Sequence, residues 1–170
     1  VETAEWQLIE ETFLRAAQQL IEFRIKEGKT LKEDILDRVK ILEHFVQLLK
    51  EQDKRRVGEI RQRLRNNLEL YIPKDKIDPN RYEQEIIYYL EKLDITEELT
   101  RLRAHFDHFR QVADDNSEYT KGRKLNFIAQ EIGREINTIG SKANDALMQK
   151  IVVNMKDELE KIKEQTNNLL

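Results

Sequence analysis

Residues 35–49, ILDRVKILEHFVQLL, place Ile35, Val39, Leu42, Val46 and Leu49 at alternating steps of four and three. That spacing returns to one face of a helix every turn, and the stripe is narrow, as in a coiled coil or helical hairpin. Toward the N-terminus, residues 6–25 repeat the pattern with Ile9, Phe13, Ala16, Leu20 and Phe23. Gly28 is expected to end that helix, because glycine accepts a left-handed backbone at little cost. Thr30, with Glu33 three residues on, then reads as a capping box opening the next one. Toward the C-terminus, Val57, Ile60, Leu64, Leu68 and Tyr71 form a third stripe, and nothing between Leu49 and Val57 clearly interrupts the helix.

Pro73 and Pro79 mark a joint, since both cannot sit inside one helix. Asp78 before Pro79 reads as an N-cap followed by the first helical position. A short helix carrying Tyr82, Ile86, Tyr89, Leu90 and Leu93 follows, and Asp94 with Glu97 offers another capping box. Ile95, Leu99, Leu102, Phe106, Phe109 and Ala113 form the next stripe, and the polar run at 114–122 reads as a loop. Leu125, Ile128, Ile132, Ile136 and Ile139 follow, with a stop expected at Gly140. Ser141 or Asn144 is then the expected cap of a last long helix holding Leu147, Ile151, Met155, Leu159, Ile162 and Leu169. No period-two run of useful length occurs. The expected fold is all-α: an elongated antiparallel helical hairpin over residues 1–72, then a small helical bundle in a C-terminal domain over residues 73–170.

Composition agrees. The 170 residues include 30 Lys+Arg, 33 Asp+Glu, five Gly, two Pro and no Cys. Charged residues at 37% exceed the usual quarter, which fits long helices with much solvated surface. The absence of cysteine excludes disulfides, thiolate zinc sites and a cysteine nucleophile. No apolar run approaches the roughly 20 residues that cross a bilayer, so no membrane partner is expected. No secretory or transit segment is visible. A formal charge of −3 exerts no global pull on nucleic acid, so such binding must be local.

Helical arithmetic at about 100° per residue sorts the polar groups by face. Asp94, Glu98, Arg101, His105 and His108 fall along one flank of the Leu99–Leu102–Phe106 stripe. Glu131 and Glu135 are one turn apart beside the Leu125–Ile139 stripe, with Arg134 and Asn137 elsewhere on that helix. At a core edge such groups are shielded, and their electrostatics strengthen. The same pattern also suits ordinary surface ion pairs, each worth roughly 0.2–0.5 kcal/mol. Both readings stand on pattern alone. Lys54, Arg55, Arg56, Arg61, Arg63 and Arg65 form a basic cluster opposed only by Glu59, and Lys121, Arg123 and Lys124 a smaller one. Either is a phosphate site or a solvated face. Most aromatics sit on core stripes, so no platform for stacking bases is evident.

Several familiar sites are absent from the sequence: no Gly-rich phosphate loop, HExxH or EF-hand pattern occurs. His44, His105 and His108 lack the Glu three residues earlier that a di-iron bundle needs.

The segment at 122–142, GRKLNFIAQEIGREINTIGSK, resembles the signature of the YicC/YloC-like endoribonucleases, bacterial proteins of the stress-induced YicC group. LDITEELTRLRAHFDHF at 93–109 is similar to that family's second signature. FRIKEGKTL at 23–31 resembles its Arg-x-x-Glu-Gly segment, and the closing KDELEKIKEQTNNLL echoes its terminus. Asn126 and Gly133 depart from the usual Asp and Asn of the family. Gly133 inside a helix costs up to about 1 kcal/mol relative to Ala and so marks close packing or a bend.

The resemblance implies a cytoplasmic RNA endonuclease that is sequence-tolerant, acts as a homo-oligomer such as a hexamer, and uses a divalent metal, Mn or Mg. It also implies that this chain is the C-terminal helical part, lacking most of an N-terminal domain, and that it is inactive alone if that domain closes the substrate chamber. Combined with the inventory, it nominates Glu131 and Glu135 as metal ligands or general bases and His105 as a general acid. Arg101, Arg123, Lys124, Arg134 and Lys142 become the candidate RNA contacts. The alternative is a non-catalytic helical oligomerisation module or an RNA-binding chaperone.

Overall fold

The computed structural model describes residues 3–115 and 121–168, and among them no strand occurs. Five α-helices follow one another: α1 (Thr3–Tyr71), α2 (Pro79–Leu93), α3 (Thr96–Asp114), α4 (Lys121–Lys142) and α5 (Ala146–Thr166), with a 3₁₀ turn at Lys74–Lys76. The all-α expectation holds.

The break expected at Gly28 does not occur. α1 is one helix of 69 residues, roughly 100 Å long at about 1.5 Å per residue. Gly28 keeps a negative φ, and the Thr30 hydroxyl donates back to the Lys26 carbonyl at 3.2 Å, the bond of a helix interior rather than a cap. Residues 3–71 therefore hold no internal hairpin. The seam they carry is covered by later helices.

Pro73 does end α1, and Asp78 caps α2 by accepting from the amides of Asn80 at 2.9 Å and Arg81 at 3.4 Å. The cap of α3 differs in detail from the expected box. Asp94 accepts from the amide of Thr96 at 3.1 Å and from its hydroxyl at 2.7 Å, and Glu97 makes no capping bond. α4 runs past Gly140 to Lys142. Asp145, and neither Ser141 nor Asn144, caps α5 by accepting from the Met148 amide at 2.8 Å. Of the loop expected at 114–122, residues 116–120 lie outside the described residues, as does Leu169.

One core joins both sides of Pro73. The α1 seam from Ile35 to Leu49 packs with Leu102, Phe106 and Phe109 of α3, Ile132, Ile136 and Ile139 of α4, and Met148, Met155 and Ile162 of α5. Register follows from paired side chains. Arg38 reaches Glu158 and Gln52 reaches Asp145, so α1 and α5 are antiparallel. Glu98 reaches Lys142 and Arg101 reaches Glu135, so α3 and α4 are antiparallel too.

Two glycines let α4 approach α5. A Cβ at Gly133 would meet Leu159 Cδ2 at 3.2 Å, and one at Gly140 would meet Val152 Cγ1 at 3.1 Å. Close packing, the first of the two roles open to Gly133, is what the structure finds. Before Ile35, α1 extends beyond the core, and Trp6, Ile9, Phe13, Leu20 and Phe23 are exposed. No helix among the described residues is long and apolar enough to cross a membrane.

Candidate functional site

The polar flank of α3 meets the acidic flank of α4 because their apolar stripes face each other. Burying Leu99, Leu102 and Phe106 against Ile132, Ile136 and Ile139 leaves Glu98, Arg101 and His105 on the same seam edge as Glu131, Glu135 and Lys142. Glu98 is only 4% exposed and Glu135 only 8%. Buried carboxylates are costly unless paired, and both are paired. Lys142 Nζ donates to Glu98 Oε1 at 2.7 Å and to the Asp94 carbonyl at 2.9 Å. Arg101 Nη1 stands 3.6 Å from Glu135 Oε1, and its Nη2 donates to Glu97.

Charge reinforces this arrangement. The carboxylates of Glu97 and then Glu135 raise the pKa of Arg101 further above its ordinary value. Asp94 is held below the usual carboxylate range, chiefly by the Thr96 hydroxyl, with the Lys142 ammonium contributing. Two buried carboxylate oxygens lack hydrogen bonds. Glu98 Oε2 has no partner, and Arg134 Nη1 stands 2.6 Å from Glu131 Oε1 without the alignment of a hydrogen bond. The flank thus combines fixed cations with acceptor oxygens that have capacity to spare.

Not every candidate joins it. His105 is half-buried, and the register set by Arg101 and Glu135 brings it level with Glu131. Arg134 pairs with Glu131 at the margin. Arg123 and Lys124 lie in the first turn of α4, about 10–12 Å along the axis from Glu131. Lys142 closes the opposite end. Among the described residues no three His, Asp or Glu side chains gather as a metal site. Glu131 and Glu135 would supply two hard oxygen donors one turn apart, and the oxygen of Glu131 without an aligned donor fits that use. Two such donors match in number what magnesium-like ions take, one or two carboxylates plus water and substrate phosphate.

The basic cluster of α1 is not a uniform face. Arg56 is 2% exposed and donates to the carbonyls of Lys142 and Leu93. Arg61 faces Glu83 at 3.6 Å and Arg65 faces Glu69 at 3.3 Å. The burial of Arg56 was open to detection, since it lies seven residues after Leu49 and continues the seam by one heptad. Lys121 likewise turns inward, donating to the Ala113 carbonyl at 3.2 Å.

Residues 49–169 match a family described as endoribonuclease YicC-like, C-terminal. A probable endoribonuclease YicC of Clostridioides difficile (strain 630) is 36% identical over 165 residues, covering 96% of this chain and 56% of that relative. A probable endoribonuclease YicC of Haemophilus influenzae (strain ATCC 51907 / DSM 11121 / KW20 / Rd) is 38% identical over 93 residues, covering 55% of this chain and 32% of that relative. The chain therefore spans about half, or less, of the length of these curated relatives.

Proposed function

The chain belongs to the endoribonuclease YicC-like family, and from that premise we propose that it is the helical part of an enzyme that cleaves RNA phosphodiester bonds at the α3–α4 flank. The observation that carries this reading is the Arg101–Glu135 contact at 3.6 Å, in which a buried carboxylate holds an exposed guanidinium at the edge of the core. A guanidinium presents a planar fork of donors to phosphate oxygens. Fixed in advance, it stabilises the charge that builds on the phosphorane.

The remaining roles follow from what each side chain can donate or accept. The Glu131 carboxylate takes the proton from the attacking oxygen as its bond to phosphorus forms. His105, level with it, gives a proton to the leaving oxygen as the opposite P–O bond breaks. Lys142 and Arg134 hold flanking phosphates, and Arg123 and Lys124 guide the strand toward the far end of α4. Glu131 and Glu135 would hold a divalent Mn or Mg ion, which would supply additional positive charge at the phosphate.

Self-association is part of the same reading, supported by the exposed apolar side chains on the first turns of α1. So is a setting in the bacterial cytoplasm, where RNA is available. A non-catalytic oligomerisation module is the competing reading, and the same exposed arm favours it.

The deciding experiment incubates the chain, and a full-length relative beside it, with structured RNA in Mn²⁺ or EDTA. Glu131→Gln, Glu135→Gln and His105→Ala are each expected to lower the cleavage rate by about 10²–10⁴-fold. Unchanged rates in all three would remove the catalytic assignment. Cleavage that persists in EDTA but fails on 2′-deoxy substrate would move the attack to the ribose hydroxyl, with His105 and Arg101 in charge. Altered assembly with no cleavage to lose would favour the module.

A further inference from the structure

The end of α1 and the helix α2 enclose a groove of about 750 Å³ whose lining includes no residue of α3 or α4. Leu64, Leu68 and Ile72 line it from the α1 side. α2 contributes little to the core, since Ile86 is its one buried residue. Tyr82, Tyr88 and Tyr89 instead line the groove, together with Lys76, Arg81 and Lys92. Tyr88 is 57% exposed, and Lys92 Nζ sits 4.2 Å from its ring centroid. A cation over one face of a half-exposed ring leaves area free for a second planar partner.

Charge selects the occupant. None of Lys76, Arg81 and Lys92 has a carboxylate within ion-pair distance among the described residues, although Arg61, Arg65 and Lys74 nearby are all paired. The lining sets these three cations against two carboxylates, Asp78, which accepts from the α2 amides, and Glu85, and so keeps an excess of positive charge. Aromatic faces flanked by uncompensated cations are what a single-stranded nucleic acid requires. Bases stack without regard to sequence, while lysine and arginine follow the phosphates. An apolar peptide would use the leucine floor but would leave three cations unmatched. The groove also leads toward the proposed site. Lys92 is two residues from Asp94, whose carbonyl accepts from Lys142.

We infer that the α1–α2 groove is a binding site for single-stranded RNA, with a base stacked on Tyr88 and the adjoining phosphates held by Lys92, Arg81 and Lys76. This rests on the RNA reading above and adds to it a second contact, separate from the cleaving residues.

The test measures anisotropy of a fluorescently labelled oligouridylate of about 12 nucleotides, titrated with the 170-residue chain in EDTA. Tyr88→Ala is expected to weaken binding about tenfold, whereas Tyr88→Phe, which keeps the ring, binds as wild type. Lys92→Gln is expected to reduce the slope of log affinity against log salt by about 0.7. Circular dichroism verifies that each variant is folded. If wild type binds and Tyr88→Ala and Lys92→Gln bind equally well, the groove assignment is overturned while the RNA reading survives. If wild type binds no RNA, both fail. If Tyr88→Ala alters sedimentation and leaves RNA affinity intact, the groove is a protein contact and the inference is again overturned.

Discussion

Arg56 Nη1 donates to the carbonyl oxygen of Lys142 at 2.8 Å, joining the C-terminal third of α1 to the last residue of α4. Its Nη2 donates to the Leu93 carbonyl at 2.7 Å and pairs with Asp53, so one guanidinium ties three chain segments together. Lys142 in turn holds Glu98 through its ammonium group. The end of α1 is thereby coupled to the proposed site.

Removing that anchor leaves the Leu93 carbonyl without this donor, the Lys142 carbonyl with only the Asn144 amide at 3.0 Å, and Asp53 without its partner. Arg56→Ala is expected to lower stability by about 3 kcal/mol, read from urea denaturation. Arg56→Lys should recover only part of this, since an ammonium cannot reproduce the planar fork. Full recovery by lysine would mean that charge alone, and not geometry, matters there.

Acid should weaken the bundle through Glu158. Burial pushes its pKa up, but the hydrogen bonds from Lys161 and Arg38, the latter at 2.6 Å, outweigh this and leave it below the usual value. A folded pKa below the unfolded one means stability that is fully present above the unfolded value of about 4.3 and lost as pH falls through the folded value. Asp94 and Asp114 are depressed as well and act in the same direction. The urea midpoint is expected to be flat from neutrality to about pH 5 and to fall below about pH 4. Glu158→Gln should cost about 1–2 kcal/mol at neutral pH and nothing near pH 3. A constant deficit across that range would contradict the assignment.

Glycines in the long helix differ from those at the α4–α5 contact. A Cβ at Gly58 meets nothing within 4 Å. Gly58→Ala should therefore gain about 0.5–1 kcal/mol by limiting the unfolded chain. Gly140→Ala, which places a methyl group 3.1 Å from Val152 Cγ1, should gain less or lose stability. Thermal unfolding of the pair reads the contrast directly, and equal gains would show that α4 and α5 part without cost.

The arm before the core contributes helix but no packing, because the first buried residue of α1 is Ile35. Deleting residues 1–29 is expected to reduce the far-ultraviolet helical signal and leave the midpoint of the main transition nearly unchanged. If the arm carries the proposed self-association, the truncated chain should also sediment without dependence on concentration. A large fall in the midpoint of the monomeric species would show that the arm folds back on the bundle.

Much of the fold was legible because an apolar residue every three or four positions has one stable solution, a helix with that face buried. Ile35 to Leu49, Leu99 to Phe109 and Leu125 to Ile139 were read as stripes, and all three lie in the core. Local chemistry at Pro73 and Asp78 was equally legible, since a missing amide hydrogen and a short carboxylate act on their immediate neighbours. The acidic flank of α4 and the histidine-bearing flank of α3 could each be placed on a helix face.

What the sequence determined by itself, then, was which residues are helical and which faces are apolar, because those follow from bonds and periods spanning a few positions. Gly28 touches nothing beyond its own helix, so its helical state is local, whereas tertiary structure alone decided which carbonyls receive Arg56 and that Arg101 meets Glu135. Both of the latter outcomes depend on segments far apart in the chain. A glycine permits a turn without compelling it, and a cation is buried only where carbonyls such as those of Leu93 and Lys142 converge to receive it.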